Sequence, residues 1–207
     1  MERQPIPDPG GSPNARTVAS YEQIADDYAR ETAGGGVLAF ALDRLAETVP
    51  AGSVLEIGSG PGWDADALEE AGMTVRRTDI TEAFIEFQRA RGKEIDRMDA
   101  INDDLGGPYD VVVTLHVLQH VEPDAMPAVL AKVAGALRPG GRFLVSIPLG
   151  EGAGWEVGES GSPYYRALRS EAEFTAALEE SGLQSEWTER AVQDEESGWL
   201  CVLAQLP

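Results

Sequence analysis

Apolar residues change their spacing along this chain, and the change divides it. Over residues 18–32, Tyr21, Ile24, Ala25, Tyr28 and Ala29 recur at the three- and four-residue steps of one helical stripe. Leu38, Ala41, Leu42 and Leu45 do the same over 37–48, before Pro50 and Gly52 close the segment. Residues 53–57 abandon that period for a short, nearly continuous apolar run bounded by glycine, which predicts a strand buried on both faces. Helix 63–71 follows, ending at Gly72, then strand 74–78 and helix 82–91, which starts behind Thr81 and stops at Gly92. A weaker strand at 93–98, the strongest strand at 111–115, helix 125–137 and strand 142–147 complete the series, the breaker Arg138-Pro139-Gly140-Gly141 separating the last two. Strand and helix thus alternate for about 95 residues. Alternation at that pitch requires crossover connections and predicts an α/β, doubly wound, mostly parallel sheet.

The two ends read differently. Residues 149–163 are rich in Gly and Glu and predict a mobile loop. Ser170 with Glu173 forms a capping box for a helix reaching Ser181 and Gly182. Strands 183–191 and 199–204 are separated only by the acidic turn 194–198; with no room for a crossover, they pair antiparallel as a C-terminal hairpin. Pro5, Pro7, Pro9, Gly10, Gly11 and Pro13 make 1–16 a disordered leader. Residues 17–207 read as one domain, with a helical cover over 17–49, a core over 50–148 and a loop, helix and hairpin over 149–207.

Charge narrows the class of partner. Among 207 residues, 36 acidic side chains oppose 16 Lys and Arg, for a formal charge of -20. Only Lys93 and Lys132 are lysines, so no basic face exists to displace counterions from a nucleic acid or to meet an anionic membrane. No apolar run approaches the roughly 18 residues of a membrane span, and the breakers in the first residues leave no signal-peptide core. The single cysteine, Cys201, makes no internal disulfide, and no Cys/His spacing supplies a zinc site. The expectation is a cytoplasmic protein with a small-molecule partner; the sequence carries no signal for oligomeric state.

The informative stretch is Val54-Leu55-Glu56-Ile57-Gly58-Ser59-Gly60-Pro61-Gly62-Trp63, a buried strand that enters a helix through three alternate glycines. Glycine suits a sharp turn where a ligand approaches the backbone without meeting a Cβ. Asp79 closes the second strand and Asp99 the third, both at the carboxyl edge where open α/β sheets bind ligands. A dinucleotide is the rival occupant. Its fingerprint needs a small residue where Trp63 stands, and no Tyr-x-x-x-Lys pair supplies a reductase proton donor.

Together these motifs resemble the class I S-adenosylmethionine-dependent methyltransferases, in particular the small bacterial methyltransferase domains. Glu56 to Gly62 is similar to the family's first motif, Thr78-Asp79-Ile80-Thr81 to its ribose-binding turn, and Met98-Asp99-Ala100 to its adenine-binding turn. Tyr109 to Val113 with Leu118-Gln119-His120, and Leu137 to Gly141, resemble its fourth strand with the following loop and the turn before its fifth. The resemblance implies a Rossmann-like sheet of seven strands and S-adenosylmethionine as cofactor, leaving as S-adenosylhomocysteine. By the same resemblance Glu56 and the backbone of Gly58, Ser59, Gly60 and Gly62 hold the methionyl end. Asp79 and Ile80 serve the ribose, Asp99 and Ala100 the adenine, and Leu115 the sulfur side, while the helix carrying Tyr21 and Tyr28 covers the cofactor.

Transfer from a sulfonium needs alignment and exclusion of water; a base is required only for a protonated acceptor. The chain's two histidines, His116 and His120, both follow the fourth strand. His116 is the candidate base, and His120 fixes its loop by hydrogen bonding; a metal site built from both with Glu122 lacks a third ligand placed by spacing. Trp155, Tyr164 and Tyr165, among Glu151, Glu156 and Glu159, form the expected acceptor side, a combination suited to a cationic or amine-bearing acceptor. A cofactor- or partner-binding member without activity is the alternative of another class, and an NAD(P)-dependent oxidoreductase the more distant one.

Overall fold

A computed structural model of the chain describes residues 11–34, 38–158, 161–192 and 198–207. The first ten residues of the expected leader, residues 35–37, 159–160, which include Glu159, and 193–197, which hold all but Gly198 of the expected acidic turn, lie outside the described residues.

Two helices, α1 (Pro13–Glu31) and α2 (Ala39–Thr48), precede the sheet. Strands β1 (Ser53–Ile57), β2 (Thr74–Asp79), β3 (Ile95–Arg97), β4 (Tyr109–Thr114) and β5 (Leu137–Pro148) alternate with α3 (Trp63–Glu70), α4 (Glu82–Ala90) and α5 (Met126–Ala136). Strands β6 (Ala153–Val157) and β7 (Pro163–Ala167) follow, then α6 (Glu171–Glu180), β8 (Gln184–Val192) and β9 (Gly198–Gln205). Seven strands form one sheet in the order β3-β2-β1-β4-β5-β9-β8. The first five run parallel, whereas β9 pairs antiparallel with both β5 and β8. This is the doubly wound, Rossmann-like sheet with its terminal hairpin that the alternation predicts.

Both faces are apolar because each strand alternates its side chains between them. On one face Leu55, Val112, Phe143 and Val145 pack with α5 and with Phe174 and Leu178 of α6. On the other Val54, Val111, Val113 and Cys201 pack with Ala41 and Leu45 of α2 and Leu68 of α3.

Three departures from the sequence reading matter. Residues 13–16 are helical: the Ser12 side chain accepts the Ala15 N–H, and Pro13 in the first turn lacks only a donor that would be unused there. The breaker 138–141 is absorbed into β5 as an irregularity, Leu137 pairing with Tyr109 and Arg142 with Val111. The expected mobile loop instead forms a second, two-stranded ladder of β6 and β7, with Trp155 opposite Tyr165 and Glu156 opposite Tyr164.

Candidate active site

The turn after β1 is held from three sides. Gly58, Gly60 and Gly62 take positive φ of 71°, 54° and 87°, which favours glycine, yet their space is restricted for different reasons. A Cβ on Gly58 would meet Val117 at 2.4 Å, and one on Gly62 would meet the Arg77 guanidinium at 2.6 Å, whereas one on Gly60 would meet nothing within 4 Å. Only at Gly60 does the missing side chain leave open space; Gly62 faces protein and is absent from the cavity wall, contrary to its expected place against a ligand.

Arg77 is what Gly62 packs on. Its fully buried guanidinium donates to the Gly62 carbonyl at 3.3 Å and the Gln88 carboxamide oxygen at 3.1 Å. Asp66 at 2.6 Å and Glu69 at 2.9 Å balance its charge. Gln88 in turn donates to the Gly60 carbonyl at 2.8 Å and to Ser59 Oγ at 2.9 Å. These positioning residues sit in ordinary strand and helix patterns. A fully apolar-facing Arg and Gln, unusual unless partnered, was the only signal that could have revealed them.

Asp79 closes the turn from the end of β2. Its carboxylate oxygens accept the Gly60 and Thr81 N–H groups, each at 2.8 Å, while burial pushes its pKa up against those bonds. Glu56 lies beneath the turn, 3% exposed and outside the cavity wall, with Oε2 unpartnered among the described residues. Burial, reinforced by Asp64, raises its pKa to about 8, so this carboxyl keeps its proton at neutral pH.

One cavity of about 530 Å³ runs along the carboxyl edge of the sheet from this turn. Ser59, Gly60, Asp64, Asp79, Ile80, Asp99 and Ala100 line one end. Leu115, His116, His120, Tyr164 and Arg166 line the other, with Tyr21 and Tyr28 of α1 over it. Trp155 and Tyr165 are absent from its wall. Alternation along β6 and β7 puts them on the opposite face of the hairpin, 6.1 Å apart between ring centres, with the Arg16 guanidinium 4.1 Å over the indole. The same period of two in Tyr164-Tyr165-Arg166 sets Tyr164 with Arg166, so Arg166, missed in the sequence, was readable from it.

The cover is fastened by side chains. His120 Nδ1 sits 2.7 Å from the Tyr165 carbonyl, which only accepts, so that nitrogen carries the hydrogen. Nε2 therefore accepts, from Tyr21 Oη at 3.3 Å and the Gln119 amide at 3.2 Å. Thr17 Oγ1 accepts the Tyr165 N–H at 2.9 Å, and Glu22 takes the first N–H groups of α4, those of Glu82 and Ala83, at 2.7 and 2.9 Å. Tyr21, Tyr28 and Phe84 pack edge to face or tilted, with ring centres 5.5 to 5.8 Å apart. Burial brings both histidines down to about 4; His120 and Arg166 add to this at His116, and Arg166 adds to it at His120 against the Tyr165 bond. Both are neutral at pH 7. His116, at a non-glycine φ of 58°, packs its ring 4.2 Å from Trp199. Among the described residues, no group of three or more His, Cys, Asp or Glu could hold a metal ion.

The methyltransferase-domain family matches residues 28–194 of the chain. The chain belongs to that family. Its sheet order, glycine turn and terminal hairpin are those of a class I S-adenosylmethionine-dependent methyltransferase. A Mycolicibacterium smegmatis protein named "Probable S-adenosylmethionine-dependent methyltransferase" is 32% identical over 152 residues, 70% of this chain and 57% of its own. This methyltransferase domain therefore spans a little over half the length of that relative. A ubiquinone biosynthesis O-methyltransferase of Xylella fastidiosa is 30% identical over 166 residues, covering 70% of this chain and 67% of its own. In fold, the domain superposes on the Burkholderia thailandensis 1,6-didemethyltoxoflavin-N1-methyltransferase, crystallised with its acceptor and S-adenosylhomocysteine. The TM-score is 0.74 at 20% identity, covering 97% and 93% of the two chains.

Among the described residues, no helix is long and apolar enough to cross a membrane. The expected carboxylate-rich acceptor side needs correction. Glu156 is committed to Tyr164 and Arg166, both at 3.1 Å, Glu151 is exposed, and neither lines the cavity, whereas the cation Arg166 does.

Proposed function

We propose that this chain transfers a methyl group from S-adenosylmethionine to a small-molecule acceptor by in-line displacement. The observation that carries the reading is the single cavity joining the open backbone at Gly60 and the strand-end carboxylates to the neutral His116 and the Tyr164–Arg166 face. Its volume is within the usual range for small-ligand sites, about 300–1,000 Å³.

The residues present fit the cofactor. Gly60 leaves space against its backbone, and Asp64 on the cavity wall offers the carboxylate that a methionyl amine requires. Asp79, whose oxygens accept the Gly60 and Thr81 N–H groups, lines the cavity, where its carboxylate would accept a ribose hydroxyl. Ile80 would stand beside the ribose with Asp79; Asp99 and Ala100 would flank the nucleobase, and Leu115 the sulfur. The cofactor supplies an electrophilic methyl group on a sulfonium. The chain's own work is to hold that group and the acceptor in line and to exclude water beneath Tyr21 and Tyr28. His116, unprotonated at pH 7, accepts a hydrogen bond from the acceptor's O–H or N–H; its low basicity makes it an orienting group more than a strong base. The small-molecule methyltransferases among the relatives and the fold neighbours support this acceptor class.

Calorimetry with S-adenosylhomocysteine tests the reading. Saturable binding is expected, weakened about tenfold or more in Asp79→Asn, since a charge-assisted hydrogen bond contributes about 1.5–3 kcal/mol. No binding by the native chain would overturn the proposal, as would unchanged affinity in that variant.

A further inference from the structure

Arg166 lies apart from the residues that would hold the cofactor. It lies on β7, lines the far end of the cavity beside Tyr164 and His116, and its side chain is 12% exposed. Its ion pair with Glu156 runs through Nη1 alone, at 3.1 Å. Nε is buried with no hydrogen-bond partner, and no bond to Nη2 exists among the described residues. Its remaining contact is a ring: the guanidinium sits 5.3 Å from the centre of Trp199, which also packs against His116. The guanidinium is fixed, and its unused Nη2 is a charged donor available to an oxyanion.

We infer that Arg166 selects an acidic acceptor, binding a carboxylate or phosphoryl oxyanion of the substrate through its unused Nη2 while Glu156 holds Nη1. The inference rests on the methyltransferase reading and deepens it. The surroundings agree. The two histidines facing the cavity are neutral, and the one carboxylate touching Arg166 faces it from the neighbouring strand β6 without lining the cavity. An entering anion meets one buried positive charge at this end. An amine meets that same guanidinium on the wall, while the Glu156 carboxylate behind it is already paired and does not line the cavity, so the amine is disfavoured. Arg166 is thus a specificity residue, distinct from the groups that hold the cofactor at the other end.

The aromatic wall suggests the probes: benzoate and phenyl phosphate as the two anion sources, benzamide as the neutral match and benzylamine as the cation, each titrated against the native chain saturated with S-adenosylhomocysteine. At least one anion is expected to bind tenfold or more tightly than benzamide, and whichever binds better identifies the oxyanion. Arg166→Gln should abolish that preference while leaving S-adenosylhomocysteine affinity within about twofold. Glu156→Gln, which keeps the guanidinium and removes its standing partner, should strengthen anion binding and covers the case in which Arg166→Gln does not fold. Equal binding of acid and amide, binding of neither, tighter binding of benzylamine, or an anion preference that survives Arg166→Gln overturns the inference. Failure to bind S-adenosylhomocysteine would instead overturn the reading beneath it, so the two failures are distinguishable.

Discussion

The two ends of the cavity are built by different means. At the turn after β1, the backbone presents itself to the ligand, and buried side chains beneath it, Arg77, Gln88 and Asp79, are spent on holding that backbone still. At the other end aromatic and charged side chains line the wall, fastened by single hydrogen bonds between elements far apart in sequence, such as Tyr21 to His120 and Thr17 to the Tyr165 N–H. A site that serves one constant ligand and one variable one benefits from that division. The constant ligand is met by the part of the fold hardest to alter, and the variable one by residues on α1 and an appended hairpin, which can be exchanged without disturbing the sheet.

Arg77 offers the largest test of the contrast. Arg77→Met keeps the length and removes the charge, leaving the Gln88 oxygen unpartnered and the Gly62 carbonyl with the Asp66 N–H alone, and stripping Asp66 and Glu69 of their buried cation. Breaking a buried pair from one side costs about 3–5 kcal/mol. Urea unfolding should show a loss of that size together with loss of S-adenosylhomocysteine binding. Asp66 keeps Arg91 and Lys93, whose hydrogen bonds with that of Arg77 hold its pKa at about 2 against burial, so part of the network survives. A loss below about 1 kcal/mol with binding intact would mean that the turn keeps its shape unaided.

The same division explains what could be read from sequence. Backbone-built features announce themselves locally: three alternate glycines, a strand bounded by them, and an aspartate at each of two strand ends lie within a short span, and the doubly wound parallel sheet followed from alternation alone. Side-chain-built features do not. Trp155 was as conspicuous as Tyr164, and only pairing with β7 decides which of them faces the cavity. The loop over 149–163 concealed β6 and the start of β7 because its glycines, read as the mark of a mobile loop, in part turn the chain; the Gly161 N–H closes on the Gly158 carbonyl at 2.9 Å. Ser12 was hidden among prolines and glycines, so the start of α1 went unseen, although Pro after Ser is a helix-opening signal.

Acidity separates the two ends with opposite signs. His116 and His120 have pKa values of about 4 in the fold, below the ordinary 6.5. Between those values the unfolded chain takes up protons that the folded chain refuses, so stability falls as pH drops from about 6.5 toward 4. Glu56, raised from 4.5 to about 8, keeps a proton that the unfolded chain has lost, so its contribution falls as pH rises through that window. The slope reaches about 1.4 kcal/mol per pH unit for each proton. Melting curves across pH 4 to 9 should therefore decline on both sides of about pH 6.5. Glu56→Gln should flatten the alkaline side and leave the acid side standing. If both sides flatten together, the two ends are coupled and the division fails.

The smallest expected effect concerns how α1 stays down. Glu22 is exposed, yet its two oxygens take the first N–H groups of α4, a cap supplied by a neighbouring helix because Thr81 makes no side-chain cap of its own. Losing such a cap costs typically about 1 kcal/mol. Glu22→Ala should speed amide exchange in α1 and the first turn of α4 while leaving β1, β4 and β5 protected, because those strands draw their stability from the two apolar faces of the sheet. Tyr21→Phe removes the bond to His120 Nε2 but keeps the ring packing on Tyr28 and Phe84, and should move exchange less. Faster exchange spreading into the central strands in either variant would show that α1 belongs to the core; confinement to α1 and α4 would show a cover that opens on its own while the cofactor turn beneath it keeps its shape.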